Sequence, residues 1–204
     1  MRRLALLALL LSGCQTYGAF NQPDTLPAGG IRLGVSAQYD QFRVSDERIT
    51  SPDLLASLGV GLTDATELDL LLGGSTAEAR VKRQLVKGTF MLAAEGGVGF
   101  FTAYAPHSTA LYAPVSLVAG VRPSDDMDFF LGPTAWAAVG LDSPMQEAGF
   151  NRGTFGLLAG GVAGVALSTS SFVFCPQAEL LTPVGTGASG TVFQVSFGMG
   201  ATLR

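Results

Sequence analysis

The chain has 204 residues, enough for one domain, with 48% hydrophobic and 14% charged residues and a formal net charge of −4 at pH 7. With a pI near 4.9 and no run of Lys or Arg, nucleic acid is excluded as a partner, because phosphate binding needs clustered cations. One histidine and two cysteines offer no ligand cluster for a metal, and no cofactor is expected.

Met1-Arg2-Arg3 is a positively charged start, and Leu4 to Leu11 an apolar run well short of the ~20 residues of a spanning helix. Leu11-Ser12-Gly13-Cys14 follows directly, and the whole resembles a bacterial lipoprotein signal. The resemblance implies removal of residues 1–13 as signal peptide and lipidation of Cys14. Gln15, where an aspartate would retain many such proteins at the inner membrane, implies sorting to the outer membrane. The partners expected are then outer-membrane lipid and other envelope proteins. Cys175 is left as the one thiol, so no intramolecular disulfide is expected. Residues 14–29, with Pro23 and Pro27 among small polar residues, read as a lipidated N-terminus and flexible tether to a domain of residues 30–204.

From Gly30 onward apolar residues recur at every second position. The candidate strands are Ile31 to Gln41, Leu54 to Leu62, Thr66 to Gly73, Ala77 to Val86, Phe90 to Phe101, Leu111 to Val121, Met127 to Val139, Thr154 to Leu167, Phe172 to Leu181 and Val192 to Leu203. Arg43 to Ser51, Gly140 to Asn151 and Thr182 to Gly190 read as longer loops, whereas Thr63 to Thr66, Lys87-Gly88, Pro123 to Asp126 and Ser168 to Ser171 read as tight turns. This array predicts an all-β fold, an up-and-down antiparallel β-barrel of outer-membrane type with about 8 to 10 strands. Short turns at one rim and both termini on that side place the lipid anchor at the periplasmic end.

The polar face of three neighbouring strands collects Glu67 and Asp69, then Arg80, Lys82 and Gln84, then Glu95. In a narrow barrel these form a lumen charge network with a structural role, tolerated because the signs match. Pro114, Pro133 and Pro176 conflict with closure, since each removes a ladder donor and a closed barrel has no free edge. Gly160, Gly161, Gly164, Gly198 and Gly200 leave room for an open lumen or for another element to fill it.

Thr25-Leu26-Pro27-Ala28-Gly29-Gly30, Arg32-Leu33-Gly34 and Gly61-Leu62-Thr63-Asp64-Ala65-Thr66-Glu67-Leu68 together resemble a loosely defined group of bacterial outer-membrane β-barrel proteins. The likeness covers mainly the first third of the chain and implies a fold and a location, with no catalytic residues. His107 beside Ser108 invites comparison with lipid deacylases, but adjacent strand residues diverge and no oxyanion donor is evident; it reads as a solvated loop histidine. The chain is therefore not expected to be an enzyme. Two readings stay open: an occluded outer-membrane barrel with its Leu and Phe face outward, and a lipid-anchored periplasmic barrel with that face inward around an apolar ligand.

Overall fold

The computed structural model describes residues 21–44, 47–74, 76–104, 107–141, 156–185 and 190–203. They form ten strands: β1 (Ile31–Val44), β2 (Glu47–Thr63), β3 (Thr66–Gly73), β4 (Thr76–Val86), β5 (Phe90–Tyr104), β6 (His107–Ser124), β7 (Met127–Gly140), β8 (Gly156–Ser168), β9 (Phe172–Val184) and β10 (Gly190–Leu203). Each strand pairs antiparallel with its chain neighbours, and β1 pairs with β10 to close the barrel.

The alternation decides which face meets the surroundings. Leu33, Val35, Leu54, Leu70, Leu117, Phe129 and Phe197 are all exposed, with Leu72 at 63% and Leu131 at 66%. Their strand neighbours Arg32, Ser36, Ser57, Glu67, Asp69 and Asp128 point inward and are buried. The outer wall is thus an apolar belt, and the arrangement with the Leu and Phe face inside is not the one found. Exposed aromatics mark the belt's edges on β5. Phe90 and Phe100 are ten residues apart, or ~25 Å along the axis for strands tilted about 40°, the height of the apolar band of a membrane barrel.

Two expectations change. The polar stretch Arg43 to Ser51 is not a loop: β1 runs to Val44 and β2 begins at Glu47. Pairing there continues past the apolar belt, where both faces of a strand can be polar and the alternation that reveals a strand in sequence is lost. The prolines are also accommodated inside a closed barrel. The β5–β6 ladder skips from Gly96↔Val115 to Gly99↔Tyr112 around Pro114. The β6–β7 ladder skips from Ser116↔Thr134 to Ala119↔Leu131 around Pro133, and β8–β9 from Gly164↔Gln177 to Leu167↔Phe174 around Pro176. On its other side each proline stays in register, opposite Trp136, Gly161 and Phe197 respectively. A proline lacks one N–H, so only one ladder loses a bond.

Candidate functional site: the occupied lumen

The tether expected over residues 14–29 is not what its second half forms. Residues 21–26 lie inside the barrel, with Asn21, Gln22, Pro23 and Leu26 buried, and Pro27, Ala28 and Gly29 are exposed at its rim. Polar groups and prolines that would give a solvated linker in water instead find partners on the inner wall. The Arg80 guanidinium donates to Asn21 Oδ1 at 2.6 Å, and the Asn21 N–H donates to Gln177 Oε1 at 3.3 Å. Lys82 Nζ donates to the Gln22 and Asp24 carbonyls at 3.3 and 3.4 Å. Asp24 accepts from Gln84 Nε2 at 3.2 Å and pairs with Arg122 at 2.8 Å, while Arg122 also grips Asp128 through two bonds of 2.7 and 2.9 Å. The Leu26 N–H donates to Glu67 Oε2 at 2.9 Å.

The segment then turns into β1. Gly30 N donates to Pro27 O at 2.9 Å, closing a four-residue turn whose third residue, Gly29, has φ 77°. That left-handed conformation is the one a type II turn demands at this position, and glycine adopts it without strain. Gly29 N to Gly61 O and Gly61 N to Gly30 O, at 2.8 and 2.9 Å, fix the turn to the end of β2.

The wall contributes the charges read from the sequence, but not with all the partners expected. Register sets Glu67 opposite Lys82, Asp69 opposite Arg80, and Lys82 opposite Glu95. Lys82 Nζ lies 3.8 Å from Glu67 and Arg80 lies 3.9 Å from Glu95. The tighter pairs are others: Arg32 with Glu67 and, at 3.1 Å, with Asp69, and Arg80 with Glu78. Glu78 also accepts from Tyr112 Oη at 2.7 Å. Arg32 reaches two strands away because Gly59, on β2 between them, has no side chain; a Cβ there would meet Asp69 Oδ1 at 2.8 Å and Glu67 Oε1 at 3.0 Å. Glu78, Asp24, Arg122, Asp128, Glu179 and Asn21 were not singled out from sequence. Strand alternation carried by two from Arg80 would have placed Glu78 inside.

The glycines that make room are also different from those expected. A Cβ on Gly61 would sit 2.0 Å from Pro27 O, and one on Gly120 would sit 2.6 Å from Pro23 Cγ. Gly164 instead accommodates the Phe130 ring and Gln177. Gly61→Ala should therefore lower the unfolding temperature in detergent, by about 1–3 kcal/mol of stability as for other overpacked sites. Gly96→Ala, whose Cβ would find nothing nearer than 3.8 Å, should leave it unchanged. Equal unfolding temperatures for the two variants would show that the segment is not held there.

Among the described residues a cavity of about 10 Å³, room for roughly one water, is lined by Asn21, Arg80, Glu95, Thr134, Trp136 and Glu179 among others. Of the remaining sequence sites, Cys175 is a buried thiol on β9, facing inward. Residues 1–13, Cys14, Phe155 and the side chain of His107 lie outside the described residues.

Among solved structures, an outer-membrane channel from Pseudomonas putida F1 matches with a TM-score of 0.55 at 11% identity, covering 92% of this chain and 100% of that one. The fold is an outer-membrane-type β-barrel. Neisserial surface protein A also matches, at TM-score 0.45 and 10% identity over 85% of this chain and 98% of that one. So does the attachment invasion locus protein of Yersinia pestis, at TM-score 0.41 and 10% identity over 86% and 99% of the two chains. No protein-family model and no curated protein matches the chain.

Proposed function

We propose that this protein is a bacterial outer-membrane lipoprotein, anchored through Cys14, whose mostly occluded barrel serves envelope structure or surface interaction and not transport or catalysis. The observation that carries this reading is the lumen: its short-turn half is occupied by the chain's own residues 21–26, bonded to charged side chains on β3, β4 and β6 and to the Gln177 amide on β9. A transport path would need that space. The outward belt of Leu, Val and Phe supports an integral position in lipid, and the signal-like start supports export and acylation.

Two measurements on the full-length chain test it. Cells fed a clickable palmitate analogue should label the wild type and not Cys14→Ser. The extracted protein should stay folded only in detergent and change gel mobility on heating. Label that persists in Cys14→Ser, or a protein soluble and monomeric in plain buffer, would defeat the corresponding half of the proposal.

A further inference from the structure

The cavity beside Asn21 is lined largely by side chains that carry oxygen: Glu95 on β5, Ser116 on β6, Thr134 on β7 and Glu179 on β9. Its two acids are shut away from solvent, Glu95 at 7% exposure and Glu179 at 6%. Glu95 Oε2 accepts from Ser116 at 3.4 Å and lies 3.9 Å from Arg80. Glu95 Oε1 is buried and has no hydrogen-bond partner among the described residues. Glu179 bonds Thr134 and makes no ion pair among the described residues.

The charges around these acids do not balance. Arg80 on β4 faces both of them, but its Nε already bonds Glu78 and its Nη1 bonds Asn21 Oδ1 at 2.6 Å. Lys82 also faces Glu95, yet its Nζ stands 3.8 Å from Glu67 and donates to the Gln22 and Asp24 carbonyls. Tyr112, bonded to Glu78, and the Cys175 thiol are the uncharged titratable groups nearby. Glu67, Asp69, Glu78, Glu95 and Glu179 thus share Arg32, Arg80 and Lys82, and all are buried. A buried carboxylate without a counter-charge is costly, so a lumen of this composition calls for further positive charge.

We propose that the cavity binds one water-sized monovalent cation, a sodium ion or a proton carried on water, through Glu95 Oε1 and the Glu179 carboxylate. Size fits: the space of about 10 Å³ has room for one water, and neither ion is larger. Divalent ions fit less well, because they demand a fuller shell of oxygens than two carboxylates begin. No group of three or more His, Cys, Asp or Glu side chains that could hold a metal ion occurs among the described residues. Bound in the cavity, the cation joins β5 to β9 beside Asn21 and stabilises the barrel with its lumenal segment in place.

Trp136 is the one tryptophan of the chain and lines the cavity, so its emission reports on the site. The test holds the full-length protein in a neutral detergent at fixed pH and ionic strength while sodium chloride replaces N-methylglucamine chloride. Sodium binding should change Trp136 emission along a saturating curve. It should also raise the unfolding temperature by roughly 5–10 °C once sodium exceeds its dissociation constant about a hundredfold. Both effects should vanish in Glu95→Gln. If the occupant is the proton, sodium has no effect, and lowering the pH at constant salt gives the saturating change, again absent from Glu95→Gln. No response in either titration, or a response undiminished in Glu95→Gln and Glu179→Gln, overturns the proposal. Should Glu95→Gln fail to fold, Glu179→Gln decides alone, since an amide there can still bond Thr134.

Discussion

Glu67→Ala should destabilise the barrel by about 3–5 kcal/mol, the cost of removing one partner from a buried ion pair. The carboxylate has no exposed surface and answers three groups at once: the Arg32 guanidinium, Lys82 Nζ at 3.8 Å and the Leu26 N–H at 2.9 Å. Truncation leaves two buried cations short of a counter-charge and one buried N–H without its acceptor. Glu67→Gln should cost less, since the amide oxygen can still accept from Leu26 and Arg32 keeps Asp69 at 3.1 Å. The measurement is the temperature at which the detergent-solubilised protein loses its heat-sensitive gel mobility. Three indistinguishable temperatures for wild type, Glu67→Ala and Glu67→Gln would mean that the network contributes nothing to holding the lumen together.

Removing the lumenal segment should turn an occluded barrel into a conducting one. A variant exported by a cleavable signal fused directly to Pro27 keeps the turn into β1 and all ten strands but lacks Asn21 to Leu26. Its inner wall would carry Glu67, Asp69, Glu78, Glu95, Asp128 and Glu179 against Arg32, Arg80, Lys82 and Arg122. Acidic groups outnumber basic ones, so water and cations should enter. In planar bilayers the full-length protein should show no steady current, and the shortened one should show steps with cation selectivity. Conduction by the full-length protein at the same level would remove the segment's role as a plug.

Much of the wall was legible because a strand with one face in lipid announces itself by period two. Leu68, Leu70 and Leu72 point one way and Glu67 and Asp69 the other, and that alternation alone selected the inward charges. Partner choice was not legible to the same degree. Arg32 bonds across an intervening strand, which depends on Gly59 lacking a side chain, and strand pairing rules describe only adjacent strands. The segment at residues 21–30 was misread for a different reason. It has no periodicity and contains prolines, as a linker does, and only the charges that surround it distinguish a lumenal segment from a solvated tether. The three internal prolines misled in the opposite sense, because a sequence does not show that a ladder can drop two pairs on one side and continue on the other.

The contacts of that segment span the chain: Asn21 bonds a residue 156 positions later, and Asp24 one 98 positions later. What fills the barrel is therefore synthesised before any of its walls. Glu67, Gln84, Arg122 and Gln177 are reached one after another as β3, β4, β6 and β9 are laid down. Closure of β1 on β10 is the last and most non-local step, and such pairings are intrinsically slow to form. A chain whose lumenal segment binds successive staves gives the assembling sheet an axis to wrap around.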